Sequence, residues 1–379
     1  MKRIVYVLLI AFLLLCFIAC LLFLKDKPNN DQDSTNGSAA TQETANSNQI
    51  AEDKTMVAVS VPAVTESTTA DDSTVLFQYT YQHMSLVHSK PDIADKIILD
   101  FLNRVDATRA TAQSIADMAK TNYNGSQSWT PYVYHITYSP TRIDHKVLSL
   151  FGNNVVFSGA NHPERTCVSA SYDMQTGDVL TLASIMHKDA SVNDICKLVL
   201  ERLDELAEGD YLYENYKSTV TQRFSGDAST DEAWYFTQTG LCFYFAPYEI
   251  APYASGVITV EIPYEKLKTI LHEAYQPESR NIPSGTVTVA PFQADDQEQL
   301  SHIAEVVVST GGDMYAVQTS GYVQDIRVIL NDRTSNYTIF AANVLSAGDA
   351  VMIQTNETLR QQMKLSYKTG NQTVTTPIG

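Results

Sequence analysis

From Ile4 to Leu24 the chain runs for 21 consecutive residues without a formal charge, most of them Leu, Ile, Val, Phe or Ala, behind only Met1, Lys2 and Arg3. As a helix rising about 1.5 Å per residue, this run reaches roughly 30 Å, the depth of a bilayer's hydrocarbon core. A cleavable signal peptide has a shorter apolar core, about 7–15 residues, followed by a small-residue site. The run therefore predicts an uncleaved anchor over residues 4–24, with residues 1–3 as a cytoplasmic tip favoured inside by Lys2 and Arg3. Everything from Lys25 onward would then lie on the outer side of a single-pass membrane protein. Phe17-Ile18-Ala19-Cys20 loosely matches a lipoprotein cleavage box, which makes acylation at Cys20 the lesser alternative. Simple secretion is the third.

Charge narrows the partners. The 379 residues carry a formal net charge of −17. Three of the 26 basic residues precede Asp26 and all 43 acidic residues lie from Asp26 on, leaving 23 against 43, a net of −20 outside. This argues against nucleic acid and anionic lipid headgroups as partners of the outer part, since both need basic patches. A cationic partner would be attracted, although solubility alone also accounts for an acidic surface. Beyond Cys16 and Cys20 in the apolar run, Cys167, Cys196 and Cys242 are an odd number at wide spacing, with no CxxC pair. Cys196 falls in the helical stripe Val192, Ile195, Val199, Leu203 and Leu206, so a buried thiol is expected, with a Cys167–Cys196 bridge as the alternative.

Residues 25–72 are mostly Asn, Gln, Ser, Thr, Asp and Ala and read as a disordered extracytoplasmic tether. Within it, Met56-Val57-Ala58-Val59 reads as a transient strand or a protease site at most. Order begins near Thr74. Residues 73–182 read as a first α+β domain: a strand over Val75–Val87, a helical pattern from Ile93 to Met118 with one break, then short strands at Tyr132–Tyr138, Val147–Phe151, Val155–Ser158 and Val168–Tyr172. Ser89-Lys90-Pro91-Asp92 has the form of a helix cap. Residues 183–276 read as a second α+β domain, with its clearest helix at Ser191–Glu208 and strands at Trp234–Phe236, Leu241–Phe245 and Val257–Ile262 before a helix over Tyr264–Ala274. Pro277 and Pro283 bracket a linker. Residues 284–379 hold seven strand candidates between Gly-, Asn- and Asp-rich gaps and read as a small all-β domain. The fold class is α+β: antiparallel sheets with packed helices in the central region, followed by a small all-β C-terminal domain.

Residues from Trp234 to Leu267 carry a specific likeness. They are Trp234-Tyr235-Phe236, Gly240-Leu241-Cys242-Phe243-Tyr244-Phe245, Pro247-Tyr248-Glu249-Ile250-Ala251-Pro252-Tyr253-Ala254-Ser255-Gly256 and Ile262-Pro263-Tyr264-Glu265-Lys266-Leu267. This region resembles the C-terminal domain of unknown function in the ectodomain of RsiV-type, lysozyme-sensing anti-sigma factors. Gly159-Ala160-Asn161-His162-Pro163, Tyr172-Asp173 and Thr176-Gly177-Asp178-Val179-Leu180 resemble the domain that precedes it there, a domain also found ahead of a peptidoglycan deacetylase. The likeness spans about Thr74 to Ala274. It implies an α+β fold and binding at the Gram-positive envelope. A three-residue tip is too short to hold a sigma factor, and the β-rich tail does not look like the metal-binding domain a deacetylase needs.

No motif specifies a reaction. The eight histidines form no HExxH or HxxxH pair, and there is no GxSxG elbow, P-loop or dinucleotide fingerprint. No catalytic residue, cofactor or metal is assigned. Pro247 and Pro252 lack the N–H a strand ladder needs, so the chain must leave the sheet between them and return at Gly256. That makes either a stiff packed corner or a ligand-facing aromatic and acidic loop. The candidate ligand-binding residues are Asn161, His162, Tyr248, Glu249 and Tyr253, with Glu249 as the charge a cationic partner would meet. Tyr132, Tyr134 and Tyr138 share one strand face and are expected in the core rather than as a sugar platform. The sequence thus points to a membrane-anchored envelope binding protein for a lysozyme-like cationic protein or cell-wall glycan. The alternatives are a peptidoglycan-acting enzyme or its accessory domain, and a structural envelope part docking another membrane protein.

Overall fold

Period-two alternation builds a five-stranded sheet from β2 (Ala63–Thr69), β3 (Val75–Gln82), β5 (Tyr132–Ile143), β6 (Val147–Phe157) and β7 (Glu164–Asp173), paired in that order. The computed structural model describes residues 55–126, 128–206, 211–225, 233–277, 284–292, 300–331 and 336–378, all within one compact unit, Glu52–Gly379. The anchor predicted at 4–24 and the tether before residue 55 lie outside the described residues. Among the described residues no helix is long and apolar enough to cross a membrane.

β3 and β5 run parallel while their neighbours are antiparallel. A parallel pair needs a crossover, and helices α1 (Pro91–Asp106) and α2 (Arg109–Asn122) supply it. Their apolar stripe of Ile93, Ile97, Phe101, Val105, Ala112, Ile115 and Ala119 packs on the sheet beside Tyr79, Tyr134 and Tyr138. Phe101 meets Tyr138 with ring centres 5.2 Å apart, and Tyr132, Tyr134 and Tyr138 are all buried. The expected break falls at Ala107–Thr108. There the Thr108 hydroxyl donates to the Val105 carbonyl at 2.6 Å and accepts the Tyr79 hydroxyl at 2.6 Å, ending one helix and fixing the next. Met118, expected on the inner stripe, is exposed. The cap at Ser89 is not made: Lys90 is the N-cap without a side-chain bond, and its own amide donates to His88.

A second, three-stranded sheet has the order β10 (Ile258–Pro263), β9 (Gly240–Phe245), β8 (Trp234–Phe236). Both its faces are covered. Trp234, Phe236, Leu241, Phe243 and Phe245 share a core with Ile195, Val199 and Leu203 of the helix Val192–Leu206. The alternate residues Tyr235, Cys242 and Tyr244 turn to β6 and β7, where Phe151 stacks on Tyr235 at 4.4 Å. Covering both faces explains why these strands read as continuous apolar runs. Cys167, Cys196 and Cys242 are free thiols, so the Cys167–Cys196 bridge is not formed. The helix expected over Tyr264–Ala274 stops at Leu267, and Leu271 bridges to Met186 instead.

The remaining strands pack as two sheets. One has four strands, β11 (Val287–Pro291), β13 (Asp313–Thr319), β16 (Asp349–Thr355) and β12 (His302–Val307), in that order. The other has six: β18 (Gln372–Pro377), β17 (Met363–Thr369), β14 (Tyr322–Asn331), β15 (Asn336–Ser346), β1 (Ala58–Ser60) and β4 (Ser85–Val87). Here the expected tether over 25–72 needs correction, because Ala58–Ser60 and Ala63–Thr69 are strands β1 and β2. Met56, Val57, Ala58, Val59 and Val61 are all 1% exposed or less. Met56 and Ala58 enter the core of the β-rich region, while Val57, Val59 and Val61 enter the core under α1 and α2. The β-rich sheet is accordingly completed by N-terminal strands, not by residues 284–379 alone.

Candidate functional site

β9 ends at Phe245, and Pro247 cannot extend the ladder. The chain then turns tightly: Glu249 N donates to Ala246 O at 3.1 Å and Tyr248 N to Ala251 O at 3.0 Å. Ile250 and Ala251 are buried and pin the loop to the core. Between these anchors Tyr248 is held at φ +72° with 58% of its surface exposed. A left-handed backbone at a bulky, non-glycine residue costs on the order of 1–3 kcal/mol and persists only where neighbours enforce it. After Pro252 the single turn Tyr253–Ser255 leads to Gly256, whose φ of +68° starts the return into β10.

The loop between β6 and β7 comes to meet this turn. Gly159, at φ +90°, lies so close to Tyr132 that a Cβ would sit 2.7 Å from its hydroxyl. The loop then presents exposed Asn161 and His162. The Tyr253 hydroxyl donates to the Pro163 carbonyl at 2.8 Å and ties the two loops together. The His162 and Tyr253 ring centres are 4.5 Å apart, and those of Tyr253 and Tyr248 are 5.5 Å apart. Three rings from loops about 90 residues apart in sequence therefore line up as one surface row, as offset π-systems do. Asn161 stands beside its His162 end.

Glu249 does something different from its expected role. Its two carboxylate oxygens accept from Arg223 at 2.6 Å and from Ala246 N at 2.9 Å. Arg223, on the helix Tyr216–Phe224, also donates to Tyr244 O at 2.9 Å and lies 4.9 Å from the Phe245 ring centre. The pair is largely buried, with Arg223 15% and Glu249 28% exposed. Glu249 thus cross-braces the loop to the helix, and its charge is matched locally. Arg223 was missed in the sequence because nothing in its neighbourhood marks it as the partner of a residue 26 positions on.

Near the site, burial raises the Cys167 thiol to about 12, with the Glu249 charge adding to the effect. Burial likewise raises Cys242 to about 11. Both stay protonated at neutral pH and are poor nucleophiles. A polar cleft of about 250 Å³ includes Asp144, Lys146, Gln238, Asp325 and Lys368. Its carboxylates are engaged, Asp144 by Arg142 at 2.7 Å and Asp325 by Arg327 at 2.9 Å, so it offers no pair of free acids for general acid–base work.

No curated protein sequence matches the chain. Among solved structures it is similar to a member of the DUF3298 family from Bacteroides fragilis, with 16% identity over 57% of this chain and 94% of that one, and a TM-score of 0.43. It is also similar to a DUF3298 family protein from Pseudomonas aeruginosa PAO1, with 12% identity over 58% of this chain and 97% of that one, and a TM-score of 0.42. Residues 184–265, which hold Tyr248, Glu249 and Tyr253 but not Asn161 or His162, match the family described as "Protein of unknown function (DUF3298)".

Proposed function

We propose that this chain is an extracytoplasmic binding protein of the bacterial envelope, held by its apolar segment Ile4–Leu24 and related in role to the RsiV-type ectodomains its sequence resembles. The observation that carries the reading is the row Tyr248–Tyr253–His162, in which an exposed tyrosine is held at a left-handed φ against Tyr253, whose ring in turn meets His162. Strain of that kind gathers where a side chain must be presented rather than packed. Aromatic faces suit the C–H face of a sugar ring, and Asn161 adds a side-chain amide at the end of the row. Cell-wall glycan is therefore the first ligand. A lysozyme-like cationic protein is the second, supported by the net charge of −17 rather than by Glu249, which Arg223 already neutralises.

Binding of a soluble fragment of residues 55–379 to purified peptidoglycan tests the reading. The fragment must start at 55, because β1 and β2 belong to the fold. Tyr248→Ala and His162→Ala should each weaken retention at least tenfold while leaving the melting temperature near that of the parent. Unchanged retention in both variants overturns the reading. Retention on immobilised lysozyme at low salt that vanishes at high salt, insensitive to Tyr248→Ala, would assign the electrostatic partner instead.

A further inference from the structure

The turn between α2 and β5 places an asparagine side chain against the main chain that follows it. Asn124 and Gly125 are both exposed there. The Asn124 side-chain oxygen, Oδ1, accepts the Ser126 amide at 3.1 Å. That hydrogen bond closes a short ring, and the ring contains both Asn124 Cγ and the Gly125 nitrogen. It also aims an N–H at the oxygen on which charge gathers when that nitrogen attacks Cγ, the arrangement that stabilises an oxyanion. Gly125 has no Cβ to obstruct the approach, takes a φ of +78° that glycine adopts freely, and has open space where a Cβ would stand. Its own N–H donates to no group among the described residues.

The donor is held from both sides. The Ser126 hydroxyl lies 2.9 Å from that of Ser128 and accepts the Ser128 amide at 3.2 Å, while the Ser126 carbonyl accepts the Trp129 amide at 3.2 Å. On the other side Tyr123 donates its hydroxyl to Asp72 at 2.6 Å and meets Trp129 with ring centres 5.5 Å apart. A reacting pair whose geometry is fixed beforehand has already met part of the entropy cost of attack. Exposure to water supplies the rest, hydroxide to take the Gly125 proton and a water to finish the reaction.

We propose that Asn124–Gly125 is a self-modification site, at which the native turn promotes deamidation. The Gly125 nitrogen loses its proton and bonds to Asn124 Cγ. The Cγ–Nδ2 bond breaks, and the side-chain nitrogen leaves as ammonia, giving a cyclic succinimide. Water then opens the ring at one of its two carbonyls and leaves aspartate or isoaspartate, with no change of oxidation state. Either product adds a carboxylate. Isoaspartate also reroutes the main chain through the side-chain carbon just ahead of Trp129, which stacks on Tyr132, the ring against Gly159.

The chain carries its own reference, because Asn36-Gly37-Ser38 repeats the tripeptide outside the described residues. Full-length protein is aged at mildly alkaline pH, native or in urea, and peptide mapping with isoaspartate detection follows both sites in one sample. In native protein Asn124 should convert about threefold or more faster than Asn36, the scale one hydrogen bond supplies, and in urea the ratio should fall to about one. Ser126→Pro removes the donating N–H and should bring the native ratio down to the urea value. Ser126→Ala keeps the N–H and should keep the ratio. A native ratio no higher than the urea ratio overturns the proposal, as does acceleration that survives Ser126→Pro. Should Ser126→Pro fail to fold, the comparison of native protein with urea decides.

Discussion

Replacing Arg142 with Met tests how the helical and sheet regions on either side of it are joined. Arg142 leaves β5 fully buried. Its Nε donates to Asp144 at 2.7 Å, and its Nη1 donates to the Tyr264 hydroxyl at 2.8 Å and to the Tyr275 carbonyl at 2.6 Å. The guanidinium also lies 5.2 Å from the Phe236 ring centre. The Tyr264 hydroxyl in turn donates to Thr237 O at 2.8 Å, so one cation organises the turn after β8 and the start of the helix Tyr264–Leu267. Removing one partner of a buried ion pair costs about 3–5 kcal/mol, most of it from the charge left behind. Two features place this case at the lower end. Asp144 keeps 20% exposure and can rehydrate, and Arg142 Nη2 has no partner among the described residues to lose. Arg142→Met should therefore destabilise by about 3 kcal/mol, or roughly 4–5 °C in melting temperature for a cooperative unit as long as Glu52–Gly379. Thermal melting of the 55–379 fragment by circular dichroism reads this out. Arg142→Met with Asp144→Asn should recover more than half the loss, since Asn still accepts from the Lys146 and Val147 amides and leaves no orphan charge. A single variant within about 1 °C of the parent, roughly 0.7 kcal/mol, refutes the argument, and so does a double variant no better than the single.

The same pair sets an acid limb. Burial alone would raise Asp144, but the Arg142 charge and the hydrogen bonds from Arg142, Lys146 and Val147 outweigh it and hold the carboxyl below the 3.8 of a free aspartate. A lowered folded value means the contribution is complete above 3.8 and is lost as pH falls from there through the folded value, and Arg142→Met should shrink or abolish that acid loss in melting curves, because protonation then relieves the orphaned carboxylate. Tyr248→Gly should raise stability by about 1 kcal/mol, because glycine accepts φ +72° without strain, while glycan retention falls; a lower melting temperature argues that the ring is a packing element instead. Gly152→Ala places a Cβ 2.1 Å from the Thr137 carbonyl oxygen, so β5 and β6 must part and stability should drop by about 2 kcal/mol or more in a urea titration. Val59→Asp buries an unpaired carboxylate at a site with 0% exposure, and the fragment should lose its cooperative transition at neutral pH.

Wherever local pattern decided the outcome, the sequence was readable. The stripe Ile195, Val199 and Leu203 announced its helix because three- and four-residue spacing is a property of the segment itself. The Tyr132–Tyr138 alternation announced a buried sheet face for the same reason. The aromatic row was half legible: two prolines forced the chain out of β9, which located Tyr248 and Tyr253, but the contact with His162 is made across the fold. Glu249 shows the limit. A carboxylate in an exposed-looking loop reads as a free charge until Arg223, supplied by a helix with no distinguishing pattern, is seen to claim it. The helix beyond Leu267 failed for a related reason, since Leu271 is drawn into a bridge with Met186 that outweighs a modest helical preference.

The patch Met56–Val59 is the sharpest case, because its four residues carry no periodic signal long enough to read. What makes them structure is two surfaces supplied from elsewhere. β1 is flanked by β15, pairing Ala58 with Ala342, and by β4, pairing Ala58 with Val87. Asn343 accepts the Val57 amide at 2.8 Å across 286 residues of sequence. Since side chains alternate along a strand, one three-residue strand sends neighbours into two different cores, and neither core closes without it. The β-rich region therefore cannot complete its six-stranded sheet until Ala58–Ser60 arrive. Closing so long a loop costs conformational entropy that the completed contacts must repay. The consequence is that the N-terminal strand couples the stability of the β-rich region to that of the helical one, so a destabilising change such as Val59→Asp is felt in both at once.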